Sequence, residues 1–186
     1  NKLRLYQTKK DGIESKKQIP LIAYDTDENG LYDLVEWIIP ELSNWEGYIV
    51  IVISKAEHLD STRGFISDIY NETYQLDGIW SETINENEYV RVTFEKKLDN
   101  TRDITIYPRI ISGEPRIEVY EDEGIEKIAE FTNLQSNEYN KVWLINLKDK
   151  QDVFDLKIVD GSIEIEQIID PVVKANCPSG MISYWT

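Results

Sequence analysis

Tyr89-Val90-Arg91-Val92-Thr93-Phe94 sets Val90, Val92 and Phe94 at every second position, with Arg91 and Thr93 between them. Successive side chains of a strand point to opposite faces, so this period of two describes a ribbon with one apolar and one wet face. The same period returns in Ile104-Thr105-Ile106-Tyr107, Arg116-Ile117-Glu118-Val119-Tyr120 and Lys141-Val142-Trp143-Leu144-Ile145. It continues in Val153-Phe154-Asp155-Leu156-Lys157-Ile158 and Ile163-Glu164-Ile165-Glu166. Asp77-Gly78, Asp99-Asn100, Ser112-Gly113, Glu123-Gly124 and Asp160-Gly161 stand between these runs and read as turns. Residues 48–54 form the most apolar run and suit a central strand, while residues 65–76 fit both a strand and a helical face and are read as strand. Parallel strands would need helical crossovers, for which there is no pattern. The expectation is an all-β chain, an antiparallel β-sandwich of jelly-roll or immunoglobulin-like kind.

Upstream of this β-rich region, residues 25–36 read Asp-Thr-Asp-Glu-Asn-Gly-Leu-Tyr-Asp-Leu-Val-Glu. Oxygen-bearing groups fall at the spacing of a twelve-residue calcium loop. Asp25, Asp27 and Asn29 would offer side-chain oxygens, Leu31 its carbonyl, Asp33 a direct or water-bridged contact and Glu36 a bidentate carboxylate. Gly30 sits where such a loop turns sharply. The bland alternative is an acidic turn capping the next element. Leu31, Leu34, Val35 and Ile38 recur at helical spacing before Pro40, which predicts one short helix after the loop. The Pro20-containing run of residues 19–24 predicts an extended segment before it. A single loop of this kind favours a structural ion over a paired sensor.

Thirty-five acidic against twenty basic residues leave a formal charge of −15, which opposes nucleic acid and anionic lipid as partners. The longest apolar stretch, residues 48–53, is far short of a membrane-spanning helix, so no membrane insertion is expected. The chain begins at Asn1, as expected at a processing site or a cut boundary. The single Cys177 has no internal disulfide partner, leaving a free thiol or a link to another chain. Asn71-Glu72-Thr73 meets the sequon for N-glycosylation at Asn71 in a secreted setting.

The stretches Asp25-Thr-Asp-Glu-Asn-Gly-Leu-Tyr-Asp33 with Glu36-Trp37, Ile53-Ser-Lys-Ala-Glu-His-Leu-Asp60 and Phe65-Ile-Ser-Asp-Ile-Tyr70 carry a resemblance. Together with Tyr89-Val-Arg-Val-Thr-Phe-Glu95 and Arg102-Asp-Ile-Thr-Ile-Tyr107, they resemble a calcium-loop and β-sandwich module of large archaeal cell-surface proteins, over residues 24–171. The loop alone is similar to thrombospondin type 3 and dockerin-type calcium repeats, and Cys177-Pro-Ser-Gly-Met-Ile-Ser-Tyr-Trp185 to the opening strand of a laminin-G-like domain. The resemblance implies extracellular display among tandem β-domains and supplies no catalytic residues. The expected organisation is an extended arm with calcium loop and short helix over residues 1–40, a β-sandwich over 41–171, and a linker or strand over 172–186.

An enzyme is not expected. His58 is the lone histidine, set in the charged run Glu57-His58-Leu59-Asp60, and reads as a solvated residue. A Cys177–His58 dyad has no orienting group. No phosphate-cradling glycine loop or zinc-ligand spacing occurs. The leading expectation is a non-enzymatic structural subunit of a cell-surface protein or extracellular filament, rigidified by Ca²⁺, forming a homo-oligomer or meeting neighbouring surface-protein domains. Leu3 and Leu5 in the first alternating run, and Ile182 and Tyr184 in the last, are candidates for strands donated to a neighbour's sheet. The alternative is a calcium-stabilised carbohydrate-binding or adhesion module, since five Trp and eleven Tyr offer rings that could stack on sugars. Trp45, Trp80 and Tyr74 are the ring candidates in loops or at strand ends. Trp143, among alternating apolar residues, is expected in the core, and Trp37 is expected to seal the short helix.

Overall fold

A computed structural model of the chain describes residues 3–8, 17–28, 34–37 and 46–176. The chain divides into two compact units, residues 1–50 with 171–186 and residues 51–170.

In the first unit, β1 (Leu3–Thr8) pairs antiparallel with β2 (Lys17–Ile19), setting Leu5 opposite Ile19. Both side chains are buried. The first alternating run therefore bonds within its own chain. β3 (Leu21–Tyr24) and β4 (Leu34–Trp37) form a second antiparallel ladder, from Leu21 opposite Trp37 to Tyr24 opposite Leu34. The helix expected after the acidic loop is thus a strand where the structure describes it. A two-turn helix must fix several residues before its first hydrogen bond, whereas residues 34–37 have a pre-extended partner in residues 21–24. Ile182 and Tyr184 lie outside the described residues.

β5 (Glu46–Leu59) brings the chain into the second unit and β11 (Gln151–Asn176) takes it out. Between them come β6 (Phe65–Asp68), α1 (Tyr70–Thr73), β7 (Tyr89–Leu98), β8 (Asp103–Glu121), β9 (Lys127–Phe131) and β10 (Asn140–Trp143). The hydrogen-bonded order is β10-β8-β11-β7-β5, with β6 on β5 and β9 on β8, all antiparallel. The all-β expectation holds, in the form of an antiparallel sheet curled on itself. Residues 65–76 split between β6 and the one-turn α1, where Asp68 accepts the Tyr70 N–H and the Thr73 hydroxyl donates to the Ile69 carbonyl.

The curl has a local cause. Ser112-Gly113 and Asp160-Gly161, expected as turns, lie inside β8 and β11 and face each other, with Gly113 opposite Gly161. Register shifts at Val159/Gly161, Ser162/Ile163 and Ile165/Gln167 mark bulges, which bend and twist a ladder. Beyond the bend β8 exchanges β9 for β10 as its second neighbour. The concave side gathers Val90, Val92, Phe94, Ile104, Ile106, Ile117, Val119, Phe154, Leu156, Ile158, Ile163 and Ile165, each at most 1% exposed. Phe94 and Phe154 meet edge to face with ring centroids 6.0 Å apart.

Candidate functional site

Of the six expected calcium ligands, the structure describes Asp25, Asp27 and Glu36, while Asn29, Leu31 and Asp33 lie outside the described residues. Asp25 and Asp27 occupy the stretch leaving β3, and Glu36 lies on β4 opposite Ile22. Tyr24 and Glu36 sit on the same face of this ladder, and the Tyr24 hydroxyl donates to Glu36 Oε2 at 2.8 Å. That bond, with the neighbouring negative charge, raises the Tyr24 pKa. Among the described residues no three His, Cys, Asp or Glu side chains converge as a metal-holding group, so the described ligands supply hard oxygens at one hairpin without closing a cage.

His58 departs from its expected place. It lies in β5 opposite Val90, on the concave side, and is 4% exposed. Its Nδ1 is 2.8 Å from Glu82 Oε1 and its Nε2 is 3.0 Å from Glu88 Oε2. Each ring nitrogen thus faces one carboxylate oxygen. The Ser67 hydroxyl and His58 hold Glu82 below the usual carboxylate range. Burial raises Glu88, but hydrogen bonds from Asn85 and His58 outweigh it and hold that carboxyl low as well. The histidine is thus a buried clamp between β5 and residues 82–88. Cys177, the other member of the dyad set aside above, lies outside the described residues.

The convex side carries two contrasting surfaces. Alongside β7 and the first half of β11 it is a charge lattice. Asp155, fully buried, accepts from Arg63 Nε at 2.8 Å and Arg91 Nε at 2.7 Å. Arg63 lies over the Tyr89 ring, 4.7 Å from its centroid. Arg116 bridges Asp160 and Glu130. Burial, then the Glu118 carboxylate, push the Tyr120 hydroxyl up to about 12.

Beyond the bend the surface is aromatic. Residues 103, 105, 107 and 109 of β8 share this face, joined from β10 by Lys141 opposite Thr105 and Trp143 opposite Asp103. Trp80, Tyr107 and Tyr139 form a chain of rings, with centroid separations of 5.9 Å and 5.1 Å. Arg109 covers Trp80 at 4.4 Å and pairs with Glu164, while Lys141 lies over Trp143 at 5.1 Å and pairs with Asp103 at 3.3 Å. The Tyr139 hydroxyl donates to Gln167 Oε1 at 2.6 Å. Trp143 is 52% exposed, which overturns its expected core position, because parity sets it opposite the buried Val142 and Leu144.

Tyr107, Arg109, Tyr139 and Lys141 were absent from the ring and polar candidates read from sequence. Strand parity was the signal that could have found them, since Thr105-Tyr107-Arg109 and Tyr139-Lys141-Trp143 alternate against core residues. Trp80 is half-buried, and Tyr74 bridges Gln167 across the sheet edge and stacks on Tyr70. Trp37 lies half-buried in β4, and Trp45 is outside the described residues. Asn71 is exposed on α1, with Thr73 of its sequon fully buried. Among the described residues, no helix is long and apolar enough to cross a membrane. No protein-family model, curated protein or solved structure matches the chain.

Proposed function

We propose that this chain is a non-enzymatic structural module of an extracellular, cell-surface assembly, stiffened by calcium at residues 25–36. The supporting observation is the build of the second unit, in which long antiparallel ladders join β5, β7, β11 and β8. Asp155, fully buried on β11, ties that strand to Arg91 of β7 and to Arg63 in the turn after β5.

Acidity, an exposed Asn71 in a sequon and the resemblance to surface modules support the extracellular setting, and the spacing of Asp25, Asp27, Asn29, Leu31, Asp33 and Glu36 supports calcium. Forced unfolding reads the barrier to unfolding directly. The test is single-molecule pulling of the full chain by its two termini, in millimolar Ca²⁺ and in chelator. A higher rupture force with Ca²⁺ is expected; equal force removes the calcium-stiffened reading.

A further inference from the structure

We infer that the convex face beyond the bend, from Trp80 to Trp143, binds a neutral polysaccharide chain. The face combines two features that sugar recognition requires. Trp80, Tyr107 and Tyr139 form a half-buried ring-to-ring chain whose planes turn by 37° and 65° in succession, and Trp143 lies four residues beyond Tyr139 on the same strand face, with 52% of its surface open. The face of an aromatic ring is electron-rich, and a pyranose presents weakly positive C–H groups on its flat side, so sugars stack on such rings. Around the rings stand groups that hydrogen-bond hydroxyls. Arg109 and Lys141 keep 41% and 42% of their side chains exposed and each lies over one face of its ring, Trp80 and Trp143, leaving the opposite face for a sugar.

The charge arrangement selects the class of glycan. Arg109 pairs with Glu164 and Lys141 with Asp103, so each cation on the face is already balanced by a carboxylate. An acidic polysaccharide would have to displace those carboxylates and approach a chain of net charge −15. A neutral chain meets no such cost.

The rings are also fixed in advance. Gln167 is 2% exposed and holds the Tyr139 hydroxyl, Arg109 fixes the Trp80 plane and Lys141 packs on Trp143. Ordering these side chains on binding therefore costs little. From residue 103 to residue 109 the strand advances about 20 Å, so the face spans several sugar rings and suits an extended polymer better than a monosaccharide.

The test is affinity electrophoresis of the full chain in gels containing soluble xyloglucan, mixed-linkage β-glucan, galactomannan or dextran, with alginate as the anionic comparison, followed by calorimetry. Retardation by at least one neutral polymer and none by alginate is expected. Trp143→Ala and Tyr139→Ala should each weaken that binding by about tenfold or more, which corresponds to one lost stacking contact. Trp143 is exposed, so Trp143→Ala should melt as the unaltered chain does and serves as the folded variant. Migration unchanged in every neutral polymer, retardation by alginate alone, or binding that survives Trp143→Ala undiminished would each overturn the assignment.

Discussion

Gly113 and Gly161 oppose each other across β8 and β11, so closely that a Cβ on Gly113 would stand 2.3 Å from the Asp160 carbonyl oxygen and one on Gly161 2.3 Å from the Ser112 carbonyl oxygen. Both obstacles are backbone, which cannot swing aside. Gly113 also has φ +71°, a left-handed conformation that L side chains rarely adopt. Gly113→Ala should destabilise the chain by about 2–4 kcal/mol, and Gly161→Ala by about 1–3 kcal/mol. Urea unfolding followed by circular dichroism measures both, and a change within error for either would show that the ladder bends elsewhere.

The same pair explains what was legible in the sequence. Residues 89–94, 116–120 and 153–158 announced strands because one face of each is core and the other is not, which writes a period of two into the side chains. That 153–158 and 163–166 belong to one strand was hidden, because Asp160-Gly161 carries the chemistry of a turn and a bulge demands the same left-handed backbone from the same residues. The sequence around His58 misleads for a related reason. Its neighbours Glu57 and Asp60 are polar, but its own parity places it on the concave side with Ala56, and its partners Glu82 and Glu88 are distant in sequence. The aromatic face was half legible. Trp80 stands at a loop position that exposes a ring, while hydrophobicity points Trp143 to the core and strand parity points it outward, where it lies.

Calcium gives the second prediction. Millimolar Ca²⁺ should raise the melting temperature of the transition that involves residues 1–50, and a chelator should reverse the rise. An ion at a hundredfold its dissociation constant stabilises by about 2.7 kcal/mol if it binds the folded state alone. Asp27→Asn and Glu36→Gln should each reduce the rise, the second also releasing the Tyr24 hydroxyl from its carboxylate. Differential scanning calorimetry decides, and a thermogram indifferent to chelator removes the ion from the account.

The His58 clamp predicts a pH-dependent penalty. Glu82 and Glu88 have depressed pKa values, so each stabilises the fold above the ordinary carboxylate value and loses that contribution as pH falls through its folded value. His58→Ala should cost about 1–3 kcal/mol near neutrality, because it takes away the ring nitrogens that lie at hydrogen-bonding distance from two carboxylates. Part of that cost should vanish on acidification, as the carboxylates protonate in both proteins. The residue of the cost, from the cavity, should not move with pH. Stability of the two proteins compared from neutrality to strong acid separates the two parts; a gap constant with pH would reduce His58 to packing.

Asp170 responds in the opposite sense. Its side chain is fully buried, and burial lifts its pKa from 3.8 to about 6, against the attraction of Arg102 and with the help of the Asp103 carboxylate. A folded value above the unfolded one means that the native state takes up the proton first. Stability attributable to this group therefore falls as pH rises from about 4 to about 6, and the whole penalty stands above that window. Two pKa units at 1.36 kcal/mol each put the effect on the order of 3 kcal/mol. Asp170→Asn abolishes the titration while keeping the shape, so the unaltered chain should gain that amount relative to the variant between pH 7 and pH 4. Other carboxylates, Glu82 and Glu130 among them, weaken the fold in acid but do so equally in both proteins and cancel in the difference. Urea titrations of both at the two pH values measure it, and a difference that does not change with pH would mean that Arg102 already compensates the buried charge in full.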